Sequence, residues 1–110
     1  MANATASNFQ ILALIGGANS GSGATTLTTE SQNFQRIDPA GGAIDVDLPV
    51  EADSNGTWFY IENLADAAEA ITVKNSSAAT VATISQNEAA IVICNGTAWV
   101  HMGIITIALT

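Results

Sequence analysis

The sequence predicts an all-β protein, a compact antiparallel β-sandwich or barrel of about 8 short strands with an extended N-terminal arm. From Thr25 onward, short apolar runs alternate with turn signals about every ten residues. The pair Asn95-Gly96 lies between two apolar runs and indicates a tight hairpin, because both central residues of a type I′ turn need positive φ. One segment, Leu64–Ala70, has helix-forming composition but is only about two turns long. We predict a loop with one helical turn there.

The chain divides into an arm and a β body. Residues 9–15 form a short apolar run, and residues 16–24 have the Gly/Ser-rich composition of a flexible linker. We expect residues 1–24 to form an N-terminal arm with this linker and residues 25–110 to form the sandwich or barrel. The predicted strands are Thr25–Glu30, Phe34–Ile37, Ala43–Leu48, Thr57–Glu62, Ala70–Asn75, Thr80–Ile84, Ala89–Cys94, Thr97–Met102 and Ile104–Leu109.

The predicted hairpin has two apolar faces. A two-residue turn at Asn95-Gly96 pairs Cys94 with Thr97 and Val92 with Trp99. A hairpin with one solvated face should alternate apolar with polar residues, so we expect the core on one side and another contact, such as a subunit, on the other. One face carries Ala89, Ile91, Ile93, Ala98, Val100 and Met102, and the other carries Ala90, Val92, Cys94, Thr97, Trp99 and His101.

Charge is scarce and strongly acidic. Only 11% of the residues are charged, the net charge is −8, and Arg36 and Lys74 are the sole cations. Two cations neutralise few phosphates, so we expect no nucleic-acid partner and no anionic membrane partner. With one cysteine there is no internal disulfide, and no secretory signal or membrane-spanning run is recognisable. We expect a soluble protein made in the cytoplasm.

Few residues are suited to catalysis or metal binding. His101 is the single histidine, and the predicted register places it roughly 13 Å from Cys94, too far for a nucleophile–base pair. Asp45 and Asp47 project to one side of a strand, which suits Ca²⁺ geometrically, but no calcium-binding loop accompanies them. We therefore predict no catalytic residue, no metal and no cofactor. A small hydrolase using the Asp45/Asp47 side is the weakest hypothesis.

The block from Phe34 to Trp99 resembles head decoration (cement) proteins of tailed bacteriophages. The resemblance lies in FQRIDPAGGAIDVDLP, GTWFYIENLADAAEAITVKN and ATISQNEAAIVICNGTAW. It implies a non-enzymatic all-β protein, often a homotrimer, on the outer surface of the capsid, where it stabilises the shell by binding the major capsid protein. Similar short β modules also occur in phage tail fibres. The alternative is therefore a fibre or spike module that binds a host receptor or carbohydrate, with Trp58 or Trp99 stacking on sugar.

Two sets of residues are predicted to make contacts in such a virion protein. An apolar arm reaches a neighbouring lattice, and bulky side chains on two-sided strands meet other subunits. The predicted capsid contacts are Phe9, Ile11, Leu12 and Leu14. The predicted subunit-interface residues are Trp58, Tyr60, Val92 and Trp99.

Overall fold

The computed structural model describes residues 25–107. The predicted capsid-contact residues Phe9, Ile11, Leu12 and Leu14, and the rest of the predicted arm, lie outside the described residues. Within residues 25–107 no helix is long and apolar enough to cross a membrane. The described chain contains β1 (Thr25–Thr26), β2 (Phe34–Ile37), β3 (Ile44–Asp47), a 3₁₀ turn (Glu51–Asp53), β4 (Trp58–Asn63), β5 (Ile71–Lys74), β6 (Thr80–Ile84), β7 (Glu88–Cys94) and β8 (Trp99–Thr106).

The strands form two four-stranded sheets. Sheet I has the order β1-β3-β5-β6, and sheet II has the order β2-β4-β7-β8. Apolar side chains from the two sheets meet in one cluster between them. The predicted all-β sandwich is confirmed.

The first five strands alternate between the sheets, which produces parallel pairs. Each time the chain returns to a sheet, the new strand lies beside the previous strand of that sheet and runs in the same direction. Thr25 therefore lies opposite Val46, and Ile44 lies opposite Ile71. The pair β2–β4 is parallel in the same way. Among the described strands, only β5–β6, β4–β7 and β7–β8 are antiparallel. The expectation of a wholly antiparallel fold was wrong, because turn signals do not show whether the chain folds back or crosses to the other sheet.

Period-two alternation builds the core. In β3, Ile44 and Val46 point inward while Asp45 and Asp47 point outward. In β4, Phe59 is fully buried and its ring stacks on Trp99 with centroids 5.8 Å apart. Burial of each large side chain contributes about 1.5–3 kcal/mol before entropy is subtracted. The core consists of Leu27, Ile37, Ile44, Val46, Leu48, Phe59, Ile61, Ile71, Val73, Ala82, Ile84, Ala90, Val92, Cys94 and Trp99.

A buried asparagine organises the segment predicted to hold a helical turn. Asn63 Nδ2 donates to the carbonyls of Glu69 (2.8 Å) and Ile84 (3.0 Å), and Asn63 Oδ1 accepts from the Ala65 amide (2.8 Å). These bonds satisfy backbone groups in an irregular loop and join the end of β4 to β6. No helical turn forms between residues 64 and 70, so that part of the prediction was wrong.

The β7–β8 hairpin has a longer loop than predicted. Cys94 pairs with Trp99 and Val92 pairs with His101, a slip of two residues from the predicted register. The cause is the Asn95 side chain, whose Oδ1 accepts from the amides of Thr97 (2.9 Å) and Ala98 (2.8 Å) and so stabilises a four-residue loop. A slip of one residue would exchange the two faces of a strand, but a slip of two keeps every side chain on its predicted face.

The last strand is continuous across a bulge. The sequence predicted a break between Met102 and Ile104, whereas β8 runs through Gly103. The pairing shifts here, since Val92 lies opposite His101 but Ala90 lies opposite Ile104. Gly103 has φ +117°, a conformation that side chains disfavour, and it absorbs the extra residue.

Candidate interaction surface

Apolar side chains from all four strands cover much of the outward side of sheet II. Register places Phe34 beside Tyr60, and Ile93 between Trp58 and Val100. Adjacent residues on neighbouring strands share a face, so these side chains form one continuous surface. We call this surface the apolar face, and it consists of Phe34, Trp58, Tyr60, Ile91, Ile93, Val100, Met102 and Ile105.

Much of the apolar face is open to solvent. Trp58 is 40% exposed, Val100 43%, Met102 69% and Ile105 52%. The described chain has six large hydrophobic residues with this degree of exposure, and these four lie together on one side of one sheet. Scattered exposed hydrophobics are ordinary, but a contiguous group of them marks an interaction surface.

The apolar face has an aromatic half and an aliphatic half. On the β2–β4 side, the rings of Phe34 and Tyr60 meet edge to face with centroids 4.9 Å apart. Beside them, Asn33 Nδ2 donates a 2.6 Å hydrogen bond to the carbonyl of Trp58 and ties the start of β4 to the loop before β2. The aliphatic half lies on β7 and β8 and consists of Ile91, Ile93, Val100, Met102 and Ile105.

The charged groups on this side of sheet II offset each other. Arg36 Nε lies 3.7 Å from Glu62 Oε1, and the Glu62 side chain is nearly buried. Partial burial raises the pKa of Tyr60, the Glu62 carboxylate raises it further, and Arg36 lowers it. The Tyr60 hydroxyl is therefore neutral at neutral pH, and this side of sheet II carries no net charge.

The outward side of sheet I is polar. Asp45 and Asp47 project from β3, and Thr72 and Thr83 face each other across β5 and β6. Lys74 Nζ lies 3.0 Å from Asp45 Oδ2. The predicted placement of both carboxylates on one side of the strand is confirmed. Within residues 25–107, no three His, Cys, Asp or Glu side chains are grouped so as to hold a metal ion.

The four predicted interface residues lie on opposite sides of sheet II. Trp58 and Tyr60 lie on the apolar face. Val92 is fully buried and Trp99 is 6% exposed, with the Trp99 indole Nε1 donating to the Pro49 carbonyl at 2.9 Å. Sheet I covers this side of the hairpin, so Val92 and Trp99 are core residues and their assignment to an interface is corrected. Trp99 is likewise closed to sugar stacking.

Six residues of the apolar face escaped the prediction of contact residues, and three of them show the different reasons. Phe34 begins a short strand whose position beside Tyr60 depends on a parallel pairing. Met102 was assigned to the correct side of the hairpin but not to the interface. Ile105 was placed on a separate strand, whereas the bulge at Gly103 keeps it in line with Ala89 on the outward side. A glycine between two apolar runs is the one sequence signal that favours such a bulge.

The histidine and the cysteine do not form a catalytic pair in the described structure. The Cys94 thiol is buried, 3.5 Å from the Glu51 carbonyl and 3.3 Å from the Gly96 amide. His101 is exposed on β8, and its Nδ1 accepts from the Gly103 amide at 3.1 Å. Each side chain is thus engaged with nearby backbone.

A shallow depression lies between the 64–70 loop and the start of the β6–β7 turn. It is lined by residues 68–70 together with Ser85 and Gln86. Its carboxylate, Glu69, accepts from the Gly41 amide at 3.1 Å through Oε2, while Oε1 is buried without a partner among the described residues. A single carboxylate without a second acid or a base does not form an acid–base pair.

No protein-family model, no curated protein and no solved structure matches the chain. The resemblance to phage decoration proteins therefore stays a prediction from the sequence segments quoted above.

Proposed function

We propose that this chain is a non-enzymatic structural protein of a tailed-phage virion, which decorates and stabilises the capsid as a homotrimer. Its partners are the major capsid protein and other copies of itself, and it lies on the outer surface of the capsid. The observation that carries the proposal is the apolar face, a broad uncharged surface on a chain that otherwise carries a net charge of −8.

Several further features support a structural role. The resemblance to decoration proteins covers Phe34–Trp99, which lies entirely within the β-sandwich. Short strands in two packed sheets form a rigid body, and a rigid body loses little conformational entropy when it binds. Association of such bodies is driven by apolar burial, at about 25 cal/mol per Å² before the costs of binding are subtracted.

The division of roles follows from the two parts of the chain. In this proposal the arm, residues 1–24, contacts the shell through Phe9, Ile11, Leu12 and Leu14, while the β body supplies contacts between copies. A bound copy stabilises the shell because it binds the assembled lattice and not the dissociated subunits, which shifts the equilibrium toward the lattice.

Binding to expanded capsids that lack the protein tests this proposal. The full chain should co-sediment with such capsids and raise the temperature at which they release DNA. A variant lacking residues 1–15 should no longer bind, while its circular dichroism still shows a folded β body. Capsids whose binding and heat resistance are unaffected by the full chain would contradict the proposal, and undiminished binding by the truncated chain would contradict the role of the arm.

A receptor- or carbohydrate-binding module of a tail fibre or spike is the second candidate. The exposed indole of Trp58 favours it, because sugars stack on exposed aromatic rings. The neighbours of Trp58 on the sheet are apolar, however, whereas sugar sites also need hydrogen-bonding groups in fixed positions. A glycan-binding screen separates the candidates, since a decoration protein should retain no glycan while binding capsids.

A further inference from the structure

We infer that the apolar face is the contact between copies of this chain, with the aromatic half of one copy packed against the aliphatic half of the next around a three-fold axis. The inference rests on the proposed function, which requires a homotrimer, and it specifies the surface and the occupant. Sheet I then faces outward in every copy.

The size of the apolar face is that of a functional patch. Four strands spaced about 4.8 Å apart and about five residues long give a projected area on the order of 300 Å². The largest apolar patch of a typical soluble monomer covers roughly 300–600 Å² and often serves a function. The projecting side chains of Trp58 and Met102 add to the accessible surface of this patch.

Charge distinguishes the face that two copies can share. Every copy carries a net charge of −8, so two copies repel each other unless they meet where neither has net charge. On the outward side of sheet II the described acidic group is Glu62, and Arg36 lies beside it. The outward side of sheet I carries Asp45 and Asp47, with Lys74 paired to Asp45 alone. Copies therefore approach with least repulsion through sheet II.

The uneven chemistry of the apolar face makes it complementary to a second copy of itself. The aromatic half offers flat, fixed rings at Phe34, Trp58 and Tyr60, whereas the aliphatic half offers the flexible thioether of Met102. Methionine sulfur packs favourably against aromatic rings, so the two halves are complementary. In a three-fold ring, each contact joins two different patches of the same surface. Every copy has one of each half, and the three-fold arrangement follows from the proposed homotrimer.

A charge placed on the apolar face tests the inference. Met102 is 69% exposed in the single chain, so Met102→Lys should leave folding intact while burying an unpaired ammonium in the trimer. We expect the wild-type chain to sediment at three times the chain mass, and Met102→Lys to weaken the trimer by about tenfold or more. The matched control is Thr83→Lys, which adds the same charge to an exposed strand position on sheet I and should leave the trimer unchanged.

Trp58→Lys provides a second test from the aromatic half, and it should dissociate the trimer as Met102→Lys does. Circular dichroism and thermal unfolding establish that each variant is folded. A monomeric wild-type chain, a trimer that survives both substitutions, or a Thr83→Lys variant that dissociates equally would overturn the inference. Capsid binding is measured separately on the same samples. A trimer that does not bind capsids would contradict the proposed capsid role and leave the inference standing. A monomer that binds capsids would contradict the trimer and the inference and leave the capsid role standing.

Discussion

The two sheets differ on their outward sides although their inward sides are alike. Sheet I follows the usual rule, since Ile44 and Val46 point inward while Asp45 and Asp47 meet solvent. Sheet II breaks this rule. In β4, Trp58 and Tyr60 alternate with the buried Phe59 and Ile61, and they point outward although they are aromatic. Inward positions determine whether the sandwich folds, whereas outward positions reflect what the sheet meets after folding.

The same contrast is visible in the local sequence. Strands β3 and β5, IDVD and ITVK, alternate strictly between apolar and polar residues. Strands β4 and β7, WFYIEN and EAAIVIC, contain runs without alternation. A run without alternation is typical of a strand covered on both sides. In the described structure sheet II is covered on one side, and this mismatch is the basis of the inferred contact between copies.

Substitution of the two neighbouring aromatic residues of β4 should give the largest difference in the free energy of unfolding. Phe59→Ala leaves a cavity in the core and should lower the free energy of unfolding by about 3–5 kcal/mol. Trp58→Ala removes a ring that is 40% exposed and should lower the free energy of unfolding of the single chain by less than Phe59→Ala does, while it weakens assembly. Urea unfolding of dilute samples measures both. Equal losses would mean that the two sides of sheet II are equally buried in the single chain.

The link between the sheets at Asn63 gives the next largest effect. Asn63→Ala leaves the carbonyls of Glu69 and Ile84 and the amide of Ala65 without their partner, which should cost about 2–4 kcal/mol. Asn33→Ala is the matched control, because it removes one exposed bond to the Trp58 carbonyl and should cost about 1 kcal/mol or less. Thermal unfolding ranks the two variants, and the opposite order would refute the structural role assigned to Asn63.

The pH dependence of the single tyrosine reports on the apolar face. Because the folded-state pKa of Tyr60 is raised above its ordinary value, its contribution to stability is complete below the ordinary tyrosine pKa. That contribution is lost as the pH rises through the folded-state pKa. Absorbance of the tyrosinate at 295 nm should therefore show a higher midpoint in the folded chain than in urea. A lower midpoint in the folded chain would contradict the burial of this hydroxyl.

The two ion pairs found within residues 25–107 give the smallest predicted difference. Lys74→Met breaks a partly exposed pair on sheet I and should change stability by at most about 0.5 kcal/mol, an effect that high salt removes. Arg36→Met should cost more, since it leaves the nearly buried carboxylate of Glu62 without its cation. Unfolding in low and high salt compares the two variants. A larger loss of stability for Lys74→Met would contradict the conclusion that the more buried ion pair lies on sheet II.

Strand positions could be predicted from the sequence, but strand partners could not. The bounds of β2 and β6 match the predicted Phe34–Ile37 and Thr80–Ile84, since apolar periodicity and turn residues are local signals. Pairing is not local. Whether β3 returns beside β1 depends on how the chain between them crosses to sheet II. The hairpin register depended on the side chain of Asn95, which turned the expected two-residue turn into a four-residue loop.

The candidate surface was half predictable for a related reason. Alternation in β4 and β7 placed Trp58 and Tyr60 on one side and Phe59 on the other. It could not show which side sheet I would cover, so Val92 and Trp99 were assigned to an interface that their burial rules out. Packing between strands that are distant in the sequence determines which side of sheet II is buried. The local pattern of residue types does not show that packing.

The crossing of the chain between the sheets also bears on the order of folding. Strands β1, β2 and β3 each pair with a later strand, which forms after the chain has crossed to the other sheet and back. Each of these pairings must therefore close a loop of about 20 residues or more. The hairpins β5–β6 and β7–β8 close over short loops and lose far less chain entropy. On a ribosome, the strands synthesised first would therefore wait longest for their neighbours, and the hairpins made last would form a template onto which the earlier strands wind.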